Sequence, residues 1–178
     1  MHRFGFVVAV ALVLASSAAA ASDPWQALHR PLRLHPLAAG AACPVSKLHL
    51  LDAGRLGGLG DGPIYPNPTR FDAYGRKPGW LGSKTIWAWS PALMKRPVRV
   101  LVRGVRLDAP GVLRFQMGPG WDTAPIVPEL RMDTGNTVGS FTNSKWGATV
   151  TMLLARKHGC YGVQLDSARG TTTFVVRG

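Results

Sequence analysis

Apolar and polar positions alternate most clearly in the second half of the chain. Val98, Val100 and Val102 are interleaved with Arg99, Leu101 and Arg103, the period-two pattern of a half-buried strand. Gly104 interrupts and Val105-Arg106-Leu107 resumes, which predicts a bulged strand. Thr85 to Trp89, Val112 to Met117, Ala148 to Leu154, Gly159 to Leu165 and Thr171 to Val176 read as further strands. Asp108-Ala109-Pro110-Gly111 and Asp166 to Gly170 read as turns, the second closing an antiparallel hairpin between the last two strands. Gly118 to Pro128 reads as a loop.

Residues 53–83 are punctuated by Gly and Pro too densely for a helix, with short strands expected at 47–51 and 63–65. A short helix is expected at 24–29. Short strands with turn signals between them predict an all-β, antiparallel sandwich.

The N-terminus follows another logic. Met1-His2-Arg3 carries a positive charge, Phe4–Leu14 is an apolar run, and an Ala-x-Ala site ends at Ala20 or Ala21. This is the order of a secretory signal peptide. No cysteine follows the run, which argues against a lipid-anchored lipoprotein. The alternative is an uncleaved membrane anchor, since Phe4–Ala21 just reaches spanning length. The chain therefore divides into a signal peptide at 1–21, an extended Pro/Ala-rich arm at 22–42 and a sandwich domain at 43–178. Trp25 and Leu32 are expected to pack the arm on the body.

Composition narrows the class. With 178 residues, 46% hydrophobic and 17% charged, the chain can bury a core and is not disordered. Two cysteines, Cys43 and Cys160, favour one disulfide in an oxidising compartment, the alternative being two buried thiols.

Several ordered segments resemble a group of uncharacterised secreted actinobacterial-type proteins. They are Cys43-Pro44-Val45-Ser46, Gly62-Pro63-Ile64-Tyr65-Pro66, Gly79-Trp80-Leu81-Gly82-Ser83-Lys84 and Val100-Leu101-Val102-Arg103-Gly104. Leu107-Asp108, Pro110-Gly111, Gly159-Cys160-Tyr161 and Phe174-Val175-Val176 continue the series. The resemblance spans about residues 25–178. It implies an Ig-like sandwich with the two cysteines paired, and it carries no activity. The chain departs from the pattern at Ser90–Pro97, where Met94-Lys95-Arg96 adds charge.

Catalytic motifs fail on their neighbours. Lys157-His158-Gly159-Cys160 is similar to the His-Gly-Cys core of L,D-transpeptidases, whose cysteine thiolate is activated by the histidine. Lys157 stands where a serine is expected and Gly162 where an arginine is expected. A cell-wall enzyme using Cys160 and His158 is therefore the alternative reading. Asp133-Thr134-Gly135 occurs once and reads as a turn, since an aspartic protease needs two such aspartates. Gly57 to Gly62 and Gly82-Ser83-Lys84-Thr85 lack the spacing and the following helix of a phosphate loop. His29, His35, His49 and His158 show no ligand pair at helical spacing, so neither metal nor other cofactor is expected. Among the acids, Asp61, Asp108, Asp122 and Asp166 fall in turns, and no spacing picks out a glycosidase pair.

Charge is the broad functional hint. Lys plus Arg number 21 against 9 acids, a net charge of +12. Arg99 and Arg103 share a strand face, and Arg106 continues it if a bulge follows Arg103. Arg96, Arg114 and Arg131 are candidates to lie nearby. Such a face would attract anionic envelope polymers or lipid headgroups. Nucleic acid is not expected, because no recognition signature is present. Trp80, Trp87 and Trp89 cluster; Trp87 and Trp89 share a strand face that reads as core or inter-sheet packing, the alternative being an exposed pair that would make a carbohydrate platform. The leading expectation is a non-catalytic binding or structural protein of the cell envelope.

Overall fold

The computed structural model describes residues 23–75, 77–117, 123–136, 139–140 and 146–178. The expected signal peptide and Trp121 of the 118–128 loop lie outside them. The strands are β1 (Leu48–Leu51), β2 (Leu56–Leu59), β3 (Ile64–Pro68), β4 (Asp72–Ala73), β5 (Leu81–Trp89) and β6 (Arg99–Arg106). β7 (Arg114–Gln116), β8 (Leu130–Asp133), β9 (Gly139–Ser140), β10 (Gly147–Ala155), β11 (Cys160–Ser167) and β12 (Gly170–Arg177) follow. One helical turn, α1 (Pro91–Lys95), joins β5 to β6, with Pro91 in its first turn where a missing N–H costs nothing. The expected helix at 24–29 is a single 3-10 turn, Gln26–Leu28.

Two antiparallel sheets pack face to face as a β-sandwich. One runs β3-β5-β10-β7, with β4 on β5 and β9 on β10; the other runs β12-β11-β6-β8. β1 and β2 form a separate hairpin. Trp87, Trp89, Phe115 and Leu153 of the first sheet meet Val100, Val102, Val163, Leu165 and Phe174 of the second in one core. Trp87 donates its indole N–H to the Thr151 hydroxyl at 2.8 Å and sets its ring edge-on to Phe174, so its polar atom is satisfied inside.

Two expectations about β6 and its neighbours need correction. No bulge interrupts β6: its register against β11 is continuous from Arg106↔Tyr161 to Val100↔Ser167. Gly104 is instead a site of close approach, since a Cβ there would fall 2.8 Å from Cδ1 of Leu113. Unbroken alternation therefore puts Arg106 on the strand side of Val100 and Val102, opposite Arg99 and Arg103. In the arm, Leu28 is buried and Trp25 half-buried, whereas Leu32 is 41% exposed.

The arm lies along the outer face of the β12-β11-β6-β8 sheet. Arg103 donates to the carbonyl of Arg30, and Gln164 donates to the carbonyl of Pro31 while accepting from the amide of Arg33. The Leu37 amide donates to the Leu107 carbonyl. Cys43 then closes a disulfide to Cys160 across a sequence separation of 117.

Candidate functional site

The antiparallel register brings basic residues from distant parts of the chain to one end of the sandwich. Ala155 pairs with Leu81, Leu154 with Arg114, and Tyr161 with Arg106. Trp80 and Arg156 extend those strands by one residue each. The Arg106 amide donates to Gly111, folding the 107–113 turn back beside them. Between these pieces opens a cleft of about 680 Å³. Its cations are Arg106, Arg114, Arg156 and Lys157; Trp80, Pro110, Val112 and Tyr161 supply apolar wall.

Two of the four cations are held in place. Arg106 donates to Asp108 from Nε at 2.7 Å. That hydrogen bond, reinforced by the backbone N–H of Cys160, holds the Asp108 carboxyl below the usual carboxylate range and raises the Arg106 pKa. Arg156 sits 3.8 Å over the Trp80 ring centroid, a cation–π contact, and donates to the Gly79 carbonyl at 3.2 Å. The other two, Arg114 and Lys157, form no ion pair among the described residues. Tyr161 donates its hydroxyl to the Lys157 carbonyl at 2.6 Å, fixing the β10–β11 turn. Burial pushes the Tyr161 phenol pKa up, so this donor stays protonated. The cleft thus sets two anchored guanidiniums, Arg106 and Arg156, beside one guanidinium and one ammonium, Arg114 and Lys157, that form no ion pair among the described residues.

The arginines expected to share a face do not come together. Arg106 lies in the cleft. Arg103 is inside a polar cluster under the arm, donating to the fully buried Asp166 at 2.7 Å. Asp166 also accepts from Gln164 and from the Thr171 hydroxyl. Arg99 is exposed at the opposite end of β6, across from Asp133 of β8. Arg131 serves the arm: it donates to Glu129, reaches Asp23 at 3.2 Å and sits 5.8 Å over Trp25.

The alternative sites are closed by burial or bonding. Cys160 is a half-cystine and buried, so no thiolate is there for the exposed His158 to activate. Trp87 and Trp89 are both 0% exposed, because their strand face is the core face, and they offer no carbohydrate platform. Asp133 accepts from the Gly135 amide at 2.9 Å, the turn geometry its tripeptide suggested. Among the described residues, no group of three His, Cys, Asp or Glu is placed to hold a metal. No described helix is long and apolar enough to cross a membrane.

Sequence reasoning named Arg106 for an anion site and Arg114 as a neighbour, and missed Arg156 and Lys157. The signal it passed over was the basic pair Arg156-Lys157 in the β10–β11 turn, of which only Lys157 was weighed, as a departure from a cysteine-enzyme motif. No protein family, curated protein or solved structure matches this chain.

Proposed function

We propose that this chain is an exported, non-catalytic binding or structural protein of the cell envelope that holds an anionic partner in the basic cleft. The convergence of Arg106, Arg114, Arg156 and Lys157 on one opening, with Asp108 the one acid paired to them among the described residues, carries the reading. A cleft lined by one sign of charge with apolar walls concentrates counter-charged ligand beyond what net charge alone does. Export rests on the N-terminal pattern, and a structural disulfide suits an extracytoplasmic protein. The strand orders β3-β5-β10 and β12-β11-β6 support the Ig-like reading, since they follow the A-B-E and G-F-C order of that fold.

Retention on an immobilised polyphosphate matrix tests the reading. Arg114→Ala and Lys157→Ala should elute at clearly lower salt than the parent. Arg55→Ala and Lys95→Ala remove the same charge from exposed positions outside the cleft and should elute near the parent. Equal shifts for all four variants would reduce the cleft to ordinary surface charge.

A further inference from the structure

The chemistry of the cleft says more about its ligand, given the anion-binding reading above. Its aromatic surface is largely committed. One face of Trp80 carries the Arg156 guanidinium. Tyr161 is buried, with its ring stacked on Phe71 at 6.1 Å and its hydroxyl spent on the Lys157 carbonyl. Single-stranded nucleic acid is held by successive bases on open aromatic faces. This cleft offers cations instead.

Size and lining carry the second step. A cleft of about 680 Å³ is in the range that holds a ligand of many heavy atoms, well beyond a single phosphate. Its cations come from three separate segments, β6, β7 and the β10–β11 turn. Pro110 and Val112, the latter 45% exposed, add apolar lining suited to the uncharged links between anionic groups.

We infer that the ligand is a linear polyanion with an aliphatic backbone, of the poly(glycerol phosphate) kind, whose successive charges are met by separate cations of the cleft. Binding then releases counterions in proportion to the contacts made, and each lost contact lowers the slope of log K against log salt by about one.

The full mature protein is titrated with poly(glycerol phosphate), with oligodeoxythymidylate of matched charge, with inorganic phosphate and with phosphatidylglycerol vesicles, at several salt concentrations. The expected result has four parts. Poly(glycerol phosphate) binds at least as tightly as the DNA. Inorganic phosphate at equal phosphate concentration does not compete. Binding to vesicles is no tighter than binding to the polymer. Arg114→Ala and Lys157→Ala each lower the slope by about one while Arg55→Ala leaves it unchanged. Tighter binding of DNA, full competition by inorganic phosphate, or preference for vesicles would overturn this ligand class and leave the cleft as the anion site. Failure of all the polyanions to bind, or slopes indifferent to Arg114 and Lys157, would remove the cleft itself.

Discussion

The guanidinium of Arg106 occupies the space that a side chain at position 159 would need. A Cβ built on Gly159 falls 2.5 Å from Nε and 2.9 Å from Cζ of Arg106. The amide and carbonyl of Gly159 are both bonded to Gly178, at 2.9 and 2.7 Å. In Gly159→Ala the arginine side chain therefore gives way and the strand does not. The variant should fold with a loss of about 1 kcal/mol, the lower end of overpacking costs. Its Asp108, deprived of the Arg106 hydrogen bond, should titrate closer to an ordinary carboxylate. Carbon-detected NMR titration of the two proteins reads this; an unchanged Asp108 curve contradicts it.

The Cys43–Cys160 bond ties the end of the arm to the start of β11. A loop of 117 residues is worth about 5 kcal/mol in chain-entropy terms. The Cys43→Ser, Cys160→Ser double variant should lose stability of that order in urea unfolding, and the parent should match it under reducing conditions. Equal unfolding midpoints with and without reductant would show that the bond restrains little.

Arg103 and Arg99 should part company on mutation, although they share a strand face. Removing Arg103 leaves the fully buried Asp166 without its counter-charge, and Arg103→Ala should cost about 3 kcal/mol. Arg99 is exposed, and Arg99→Ala should stay within about 0.5 kcal/mol of the parent. Denaturant titration of the two single variants is the check, and similar losses in both would contradict the placement.

The arm should loosen in acid. Burial pushes the Glu129 carboxyl up, but hydrogen bonds from His29, at 2.7 Å, and from Arg131 outweigh it and hold the group below its ordinary range. A depressed folded pKa means stability that is complete above the ordinary value of about 4.5 and lost as the pH falls through the lower folded value. The stability difference between the parent and Glu129→Gln should therefore shrink as the pH falls below 4.5. Urea midpoints across that range read the difference, and a gap that widens in acid reverses the sign.

Strand positions were legible wherever alternation was strong. β10, β11 and β12 lie within two residues of their expected bounds because β-branched and apolar residues fill each between turn residues. β2 was missed because Gly57-Gly58 reads as a turn; in the fold Gly58 is a strand residue whose missing Cβ makes room for Tyr65, 2.4 Å away from where it would stand. Trp87 and Trp89 were rightly placed on one face, and the core packing expected of that face is what the structure shows. Strand face misled in one place. The basic face was built on a bulge at Gly104, and the glycine proved to serve Leu113. The cleft depends on register between strands far apart in sequence, which no local pattern carries; Arg156 enters it only because Ala155 pairs with Leu81.

The most direct measurement is an amide NMR map of the isotope-labelled protein during titration with poly(glycerol phosphate) at physiological salt. Shift changes should concentrate at residues 79–81, 106–114 and 156–161 and saturate together with one binding curve. Changes scattered over the surface in proportion to exposed Lys and Arg, with no common saturation, would contradict a cleft that binds its ligand.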